Sequence, residues 1–187
     1  LKSAASSMTI NGKQWGVPYT YYQWGIYYRS DVFAKMGLKE PKTWKELLDV
    51  CAKLKAANIT PFAIGTKALW PTGGWFDYLN LRVNGYEFHM DLTSGKVPYT
   101  DAKVNAVFDR WEELVKPGYF LANHAGYDWQ DAISPFVKGE AAMYLMGNFA
   151  VDPLKKGGLT DQTLAFMQFP TISDLPMAED APTDTPH

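Results

Sequence analysis

The chain has 187 residues, enough for one domain with a substantial core, and 47% of them are hydrophobic while 20% are charged. Its formal net charge is −2 with both signs interspersed, so no basic surface for a nucleic-acid backbone is predicted, and no apolar run is long enough to cross a bilayer. The single cysteine, Cys51, excludes an internal disulfide, and His89, His124 and His187 are too scattered for a zinc site. We therefore expect no nucleic acid, no metal and no cofactor.

The sequence before residue 60 predicts one strand and two helices. The apolar run at 25–29 predicts a strand, and Ser30 follows it as the cap of a short helix that ends at Gly37. Thr43 and Glu46 form a capping-box pattern, with apolar residues at helical spacing after it. These signals predict a strand followed by two amphipathic helices.

The rest of the chain alternates in the same way. Strands are predicted at 61–65, 141–146 and 163–169. One helix is predicted to begin at Thr100, and another covers about 128–138. Alternation of strands and helices predicts an α/β fold, in which ligands collect where loops leave the carboxyl ends of the strands.

The tryptophans differ in their surroundings. Trp44 and Trp111 lie at helical spacing on apolar faces, so we assign both to the core. Four others stand in contexts typical of strand starts or loops, namely Trp24 in YQWG, Trp70 and Trp75 in LWPTGGWFD, and Trp129 in YDWQD. A single loop indole is as often a plug over the core as a binding group, but four together favour a binding surface.

Such a surface suits a sugar, which has apolar C–H faces and a belt of hydroxyl groups. Aromatic rings stack on the faces, while polar side chains pair with the hydroxyls, since each unpaired one costs about 1–3 kcal/mol in a closed site. The polar candidates in predicted loops or at element ends are Gln23, Lys67, Asp77, Asp128 and Asn148.

Enzyme signatures are not found: the sequence has no GxxxxGK[ST], GxSxG, HExxH or helix-opening GxGxxG motif. A carbohydrate-active enzyme that uses Asp77 and Asp128 as a carboxylate pair stays open as an alternative to a sugar-binding protein. A third possibility is a structural module whose rings all lie in the core.

Several segments, in order, resemble one known family. They are NGKQWGVPYTYYQWGIYYRSDVF, MGLKEPKTWKELLDVCAKLKAANITPFAIGT, FVKGEAAMYLMGNFAV and MQFPTI. Their order and spacing resemble the family 1 extracellular solute-binding proteins of bacterial ABC importers, and within that family the carbohydrate-binding group. The resemblance covers nearly the whole chain.

The resemblance implies a periplasmic-binding-protein-like (type II) fold, in which two lobes joined by hinge strands close over a ligand. With roughly half of the family's length, the chain is expected to form a second-lobe α/β domain at 21–167, a mixed sheet flanked by helices. Residues 1–20 and 168–187 then correspond to the hinge or crossing segments toward the other lobe.

The resemblance also implies a function without catalysis: binding a mono- or oligosaccharide and delivering it to the membrane subunits of an ABC permease. It implies a periplasmic or extracellular location, with membrane association through the transporter. The ligand contacts that it implies are Tyr21, Tyr22, Trp24, Lys67, Trp70, Trp75, Asp77, Asn148 and Phe149, the last two in the family's G-x-[WF] pattern.

Two structural expectations follow for these rings. Tyr22 and Trp24 are expected to face the cleft while Ile26 and Tyr28 are packed, which requires a twist or bulge near Gly25 because strand side chains alternate. In the absence of the other lobe, the cleft rings Tyr22, Trp24, Trp70, Trp75 and Phe149 are expected to be exposed and to promote self-association.

Overall fold

A computed structural model of the chain describes residues 8–20 and 22–172. Residues 1–7 and 173–187 lie outside the described residues, and so does Tyr21, one of the predicted ligand contacts.

Strands and helices alternate along most of the described chain. The strands are β1 Thr9–Ile10, β2 Lys13–Gln14, β3 Trp24–Arg29, β4 Thr60–Ala63, β5 Ala141–Gly147 and β6 Leu164–Met167. The helices are α1 Ser30–Lys35, α2 Trp44–Ala56, α3 Trp70–Thr93, α4 Ala102–Val115, α5 Ile133–Val137 and α6 Val151–Lys156, with short 3-10 turns at His124–Gly126 and Asn148–Ala150.

The main sheet has four strands in the order β4-β5-β3-β6, and β1 and β2 form a separate small hairpin. β4 is parallel to β5, whereas β3 is antiparallel to both β5 and β6. All seven residues of β5 are buried, because helices cover both faces of a sheet in this type of fold. The mixed sheet flanked by helices agrees with the predicted fold class.

The pairing of β3 is regular, which corrects one expectation. Its register with β5 runs without interruption from Trp24 opposite Gly147 to Tyr28 opposite Met143. A bulge would place two residues opposite one, so no bulge is present near Gly25. Trp24 therefore shares a side of the strand with Ile26 and Tyr28.

The capping box of α2 is confirmed. The Glu46 amide donates to Thr43 Oγ1 at 3.3 Å, and the Thr43 amide donates to Glu46 Oε2 at 3.1 Å. These two bonds satisfy amide groups that have no partner inside the helix. Gly37, with φ of 64°, adopts the predicted left-handed conformation after α1.

Two other helices begin differently from the prediction. Ser30 is the first residue of α1, and its hydroxyl donates to the Gln162 carbonyl rather than capping the helix. α4 begins at Ala102, two residues after the predicted start at Thr100, and it is capped by Asp101, whose side chain accepts from the Lys103 amide. The last predicted helix is also shorter than 128–138, since α5 covers only Ile133–Val137.

The largest difference from the sequence-based prediction is α3. The stretch that contains Trp70 and Trp75 was expected to be a loop, but it forms a helix of 24 residues with a kink at Gly85, where φ is 82° and ψ is 170°. Pro71 is tolerated because it stands in the first turn. None of the helices in the described ranges has the length and apolarity needed to span a membrane.

An aromatic cluster at one edge of the sheet

Three strand ends meet at one edge of the sheet. Trp24, at the start of β3, pairs with Gly147, at the end of β5. β4 runs parallel to β5 in the neighbouring position and leads into the segment before α3. This edge carries five aromatic side chains, here called the aromatic cluster: Tyr22, Trp24, Trp70, Trp129 and Phe149.

Phe149 is the centre of the aromatic cluster. Its ring centroid lies 5.4 Å from that of Trp129, 5.5 Å from Tyr22, 6.0 Å from Trp24 and 6.2 Å from Trp70. The interplanar angles range from 59° to 81°, so the rings meet mostly edge to face, a favourable arrangement for aromatic pairs. The rings are inclined to one another and do not form a flat stack.

Gly147 allows Phe149 to reach this position. A Cβ atom at Gly147 would lie only 2.3 Å from the Phe149 ring, so the ring would have to move away. The next residue, Asn148, donates from its amide to the Gln23 carbonyl at 2.9 Å, so the turn after β5 is fixed to the residue before β3. The side chains of Asn148 and Gln23 are both exposed beside the aromatic cluster.

The rings of the aromatic cluster differ in exposure. Trp70 is 40% exposed and Phe149 is 38% exposed, whereas Trp24 is only 7% exposed and forms the floor below them. The Trp24 ring contacts α3 so closely that a Cβ at Gly74 would lie 2.7 Å from it. The expectation that Trp24 is an exposed ring is therefore wrong, because the first turns of α3 cover it.

A loop brings Trp129 to the aromatic cluster, and several contacts fix that loop to the end of β4. Lys67 donates from its amide to the Tyr127 carbonyl at 3.0 Å, and its ammonium group pairs with Asp128 Oδ2 at 3.3 Å. Gly65 is required for this approach, since a Cβ there would lie 2.2 Å from the Asp128 carbonyl oxygen. The side chains of Lys67 and Asp128 remain 60% and 40% exposed, so the rim of the cluster carries two opposite charges that offset each other.

Trp75 does not belong to the aromatic cluster, which corrects its predicted exposure at the cleft. It is 1% exposed and packs against Phe62, Phe120 and Phe169 in the core. The cause is helical geometry: at about 100° per residue, positions 70 and 75 point roughly 140° apart around α3. Trp70 thus faces the cluster while Trp75 faces the sheet.

Asp77 lies two turns along α3 from Trp70 and is half-buried. Burial raises the pKa of its carboxyl group, and the nearby His89 opposes that shift. Asp128 instead pairs with Lys67. Each carboxylate of the suggested enzyme pair therefore interacts with a different basic residue.

Trp129 is the cluster residue that the predicted contacts omitted, although it was recognised as a loop indole. Its ring lies 6.4 Å from Trp70 as well as 5.4 Å from Phe149. The family resemblance implied ligand contacts after β4 and β5 but not in the loop that precedes α5. Only the polar sequence around Trp129, YDWQD, could have indicated that Trp129 joins the aromatic cluster. Across residues 8–20 and 22–172, no group of three or more His, Cys, Asp or Glu side chains is placed to hold a metal ion.

Comparison with known proteins identifies the family. The sequence model of the family of bacterial extracellular solute-binding proteins matches residues 2–180. An ABC transporter extracellular-binding protein of Pyrococcus horikoshii is 31% identical over 147 residues, which are 76% of this chain and 34% of that protein. The multiple sugar-binding protein of Streptococcus mutans is 27% identical over 157 residues, covering 81% of this chain and 37% of that protein.

A solved structure agrees with these relatives. It is that of a bacterial solute receptor with a reported exclusive preference for β-D-galactopyranose; its TM-score is 0.79 at 32% identity, covering 92% of this chain and 44% of that one. The chain thus spans between a third and a half of the length of the proteins that it matches. It belongs to the bacterial extracellular solute-binding proteins.

Proposed function

We propose that this chain provides one wall of a sugar site in the solute-binding component of an ABC importer. The observation that carries the proposal is the aromatic cluster, in which Trp70 and Phe149 are exposed above a floor formed by Trp24. Inclined rings cup a pyranose from more than one side, and exposed amides next to them pair with its hydroxyl groups. The sugar-binding relatives support the same class of ligand.

The proposed ligand is an uncharged saccharide. Lys67 and Asp128, the charged side chains at the rim, pair with each other, so neither sign dominates there. The carboxylate of an acidic sugar would have to compete with Asp128 for the Lys67 ammonium group. Because an exposed ion pair contributes little binding free energy, this exchange would not favour an acidic ligand. Gln23 and Asn148 offer neutral donors and acceptors instead.

In the intact protein, we propose that the chain is the second lobe, that residues 1–20 and 168–187 are crossing segments, and that the loaded protein delivers sugar to the permease outside the cytoplasmic membrane. We propose that the chain binds sugar without chemistry, which is supported by its family and by the different basic residues that act on Asp77 and Asp128. Self-association through the aromatic cluster stays a prediction. The exposed aromatic surface available for it is smaller than expected, since Trp24 and Trp75 are buried.

Titration of the 187-residue chain with neutral and acidic sugars tests the proposal. We expect weak binding of neutral mono- or oligosaccharides, with dissociation constants nearer to 1 mM than to 1 μM, because one wall offers only part of a closed site. Glucuronate is the matched acidic probe for glucose, and we expect it to bind more weakly.

Three results would contradict the proposal. Absence of any response to neutral sugars would remove the sugar site, and stronger binding of glucuronate would remove its neutral character. Turnover of chromogenic glycosides that disappears in an Asp77→Asn variant would favour the enzyme alternative.

A further inference from the structure

Two buried tyrosines bind the backbone of the aromatic cluster in the same way. The Tyr78 hydroxyl donates to the Trp24 carbonyl at 2.6 Å, and the Tyr144 hydroxyl donates to the Trp129 carbonyl at 2.6 Å. Tyr78 lies on α3 and Tyr144 on β5, so two different elements supply these donors. Neither tyrosine belongs to the cluster itself.

The Trp24 carbonyl lies where the sheet supplies no partner for it. The preceding carbonyl, that of Gln23, accepts from the Asn148 amide on the β5 side. Because successive carbonyls of a strand point in opposite directions, the Trp24 carbonyl points to the β6 side. The register of β3 with β6 covers only residues 26–29, so it does not reach Trp24. Tyr78 donates the hydrogen bond that a longer β6 would have provided.

The Trp129 carbonyl also has no partner within a helix or strand, since Trp129 lies in the loop before α5. A half-buried loop carbonyl without a partner would leave the position of the residue poorly defined. Tyr144 is fully buried in the central strand, and its hydroxyl group, protonated at neutral pH like that of any tyrosine, donates to this carbonyl; burial raises the pKa of the hydroxyl further.

Both phenol rings are themselves held in place. Tyr78 stacks on Phe169 with centroids 5.0 Å apart and planes inclined by 16°, and Tyr144 packs against Phe136 at 5.9 Å. A buried ring with few rotamers presents its hydroxyl at a fixed point. Each hydroxyl group thus holds the backbone of one tryptophan at a fixed position relative to the core.

We infer that Tyr78 and Tyr144 are positioning residues for the sugar site, fixing Trp24 as its floor and Trp129 as its side wall. The inference rests on the proposed sugar-binding function. Pre-organised rings bind a ligand more tightly because they lose less freedom on binding, and a small misplacement of a ring removes stacking contact. The two tyrosines act through the two tryptophans and not by contact with the ligand.

Tyr78→Phe and Tyr144→Phe test this inference, since each removes a single oxygen atom and keeps the ring packing. Tyr28→Phe is the matched control: Tyr28 is also buried, and its hydroxyl donates to Glu40 Oε1 at 2.7 Å, four residues along β3 from Trp24. Two quantities are measured for each variant of the 187-residue chain. They are the tryptophan indole N–H signals in ¹⁵N NMR spectra without ligand, and the dissociation constant of the best neutral saccharide.

We expect Tyr144→Phe to shift or broaden the Trp129 indole signal, and Tyr78→Phe to do so for Trp24. Each should weaken sugar binding by about three- to tenfold. Tyr28→Phe should change neither signal nor the affinity. Unchanged signals and affinities in both test variants, or equal changes in the control, would overturn the inference. If no sugar binds to the unmodified chain, the proposed function fails, while the indole signals still decide whether the two tyrosines position the rings.

Discussion

Replacing Phe149 with alanine is expected to weaken saccharide binding by about tenfold or more, which corresponds to at least about 1.4 kcal/mol. The ring is 38% exposed, so it can stack on a ligand, and it contacts the other four rings of the aromatic cluster. Its removal therefore eliminates a stacking surface and also frees Trp70 and Trp129 to move. Isothermal titration calorimetry with the best neutral saccharide measures the loss.

Phe108→Ala is the control for this variant. Phe108 lies on α4, is 49% exposed and stacks on Trp111 at 6.3 Å, outside the aromatic cluster. It thus removes a phenyl ring of similar exposure from another surface. Equal losses of affinity in the two variants, or an unchanged affinity in Phe149→Ala, would contradict the assignment of the site.

Replacing Trp75 with alanine is expected to lower the free energy of unfolding by about 3–5 kcal/mol, because it leaves a large cavity in the core. Trp75 is 1% exposed, and three phenylalanine rings lie within 5.8 Å of it, centroid to centroid. This is one of the largest effects that a single substitution causes. Urea denaturation followed by circular dichroism measures it.

Trp15→Ala provides the comparison for Trp75. Trp15 is 66% exposed, and the Lys13 ammonium nitrogen lies over its ring, 4.3 Å from the ring centroid. A loss within about 0.5 kcal/mol is expected for such a surface position. If Trp75→Ala lowers the free energy of unfolding by less than about 1 kcal/mol, Trp75 is not a core residue. The sequence-based prediction that Trp75 faces the ligand would then be preferred.

Regular elements with local signals were predictable from the sequence. The capping box of Thr43 and Glu46 and the left-handed Gly37 each depend on a few neighbouring residues, and both were located correctly. Strands β3, β4, β5 and β6 were found within a few residues because each is a short apolar run between polar turns.

Helix α3 could not be predicted in this way. Pro71, Gly73 and Gly74 lower its intrinsic helix propensity, so the local sequence indicates a loop. Burial of Trp75 and Leu79 outweighs this preference, and the packed Trp24 ring leaves no room for a side chain at position 74. Tertiary packing of this kind involves residues about fifty positions apart, which no local pattern contains.

The site was predictable only in part for the same reason. The exposure of Trp70 and Phe149 was predicted because both follow strand ends in segments that resemble the family. Their contact with a ligand stays a prediction. Trp75 was assigned to the cleft because its segment was thought to be a loop, where neighbouring side chains can point the same way. Once the segment is helical, residues five positions apart face different surroundings.

The most direct test of the sugar site follows the indole N–H signals of all seven tryptophans in ¹⁵N NMR spectra while a neutral saccharide is added. We expect shifts for Trp70, Trp129 and, more weakly, Trp24, because their rings form the aromatic cluster. We expect constant signals for Trp15, Trp44, Trp75 and Trp111, which lie outside the aromatic cluster. Saturable shifts confined to Trp15 or Trp111, with Trp70 and Trp129 unchanged at saturating sugar, would contradict the assignment of the sugar site to this cluster.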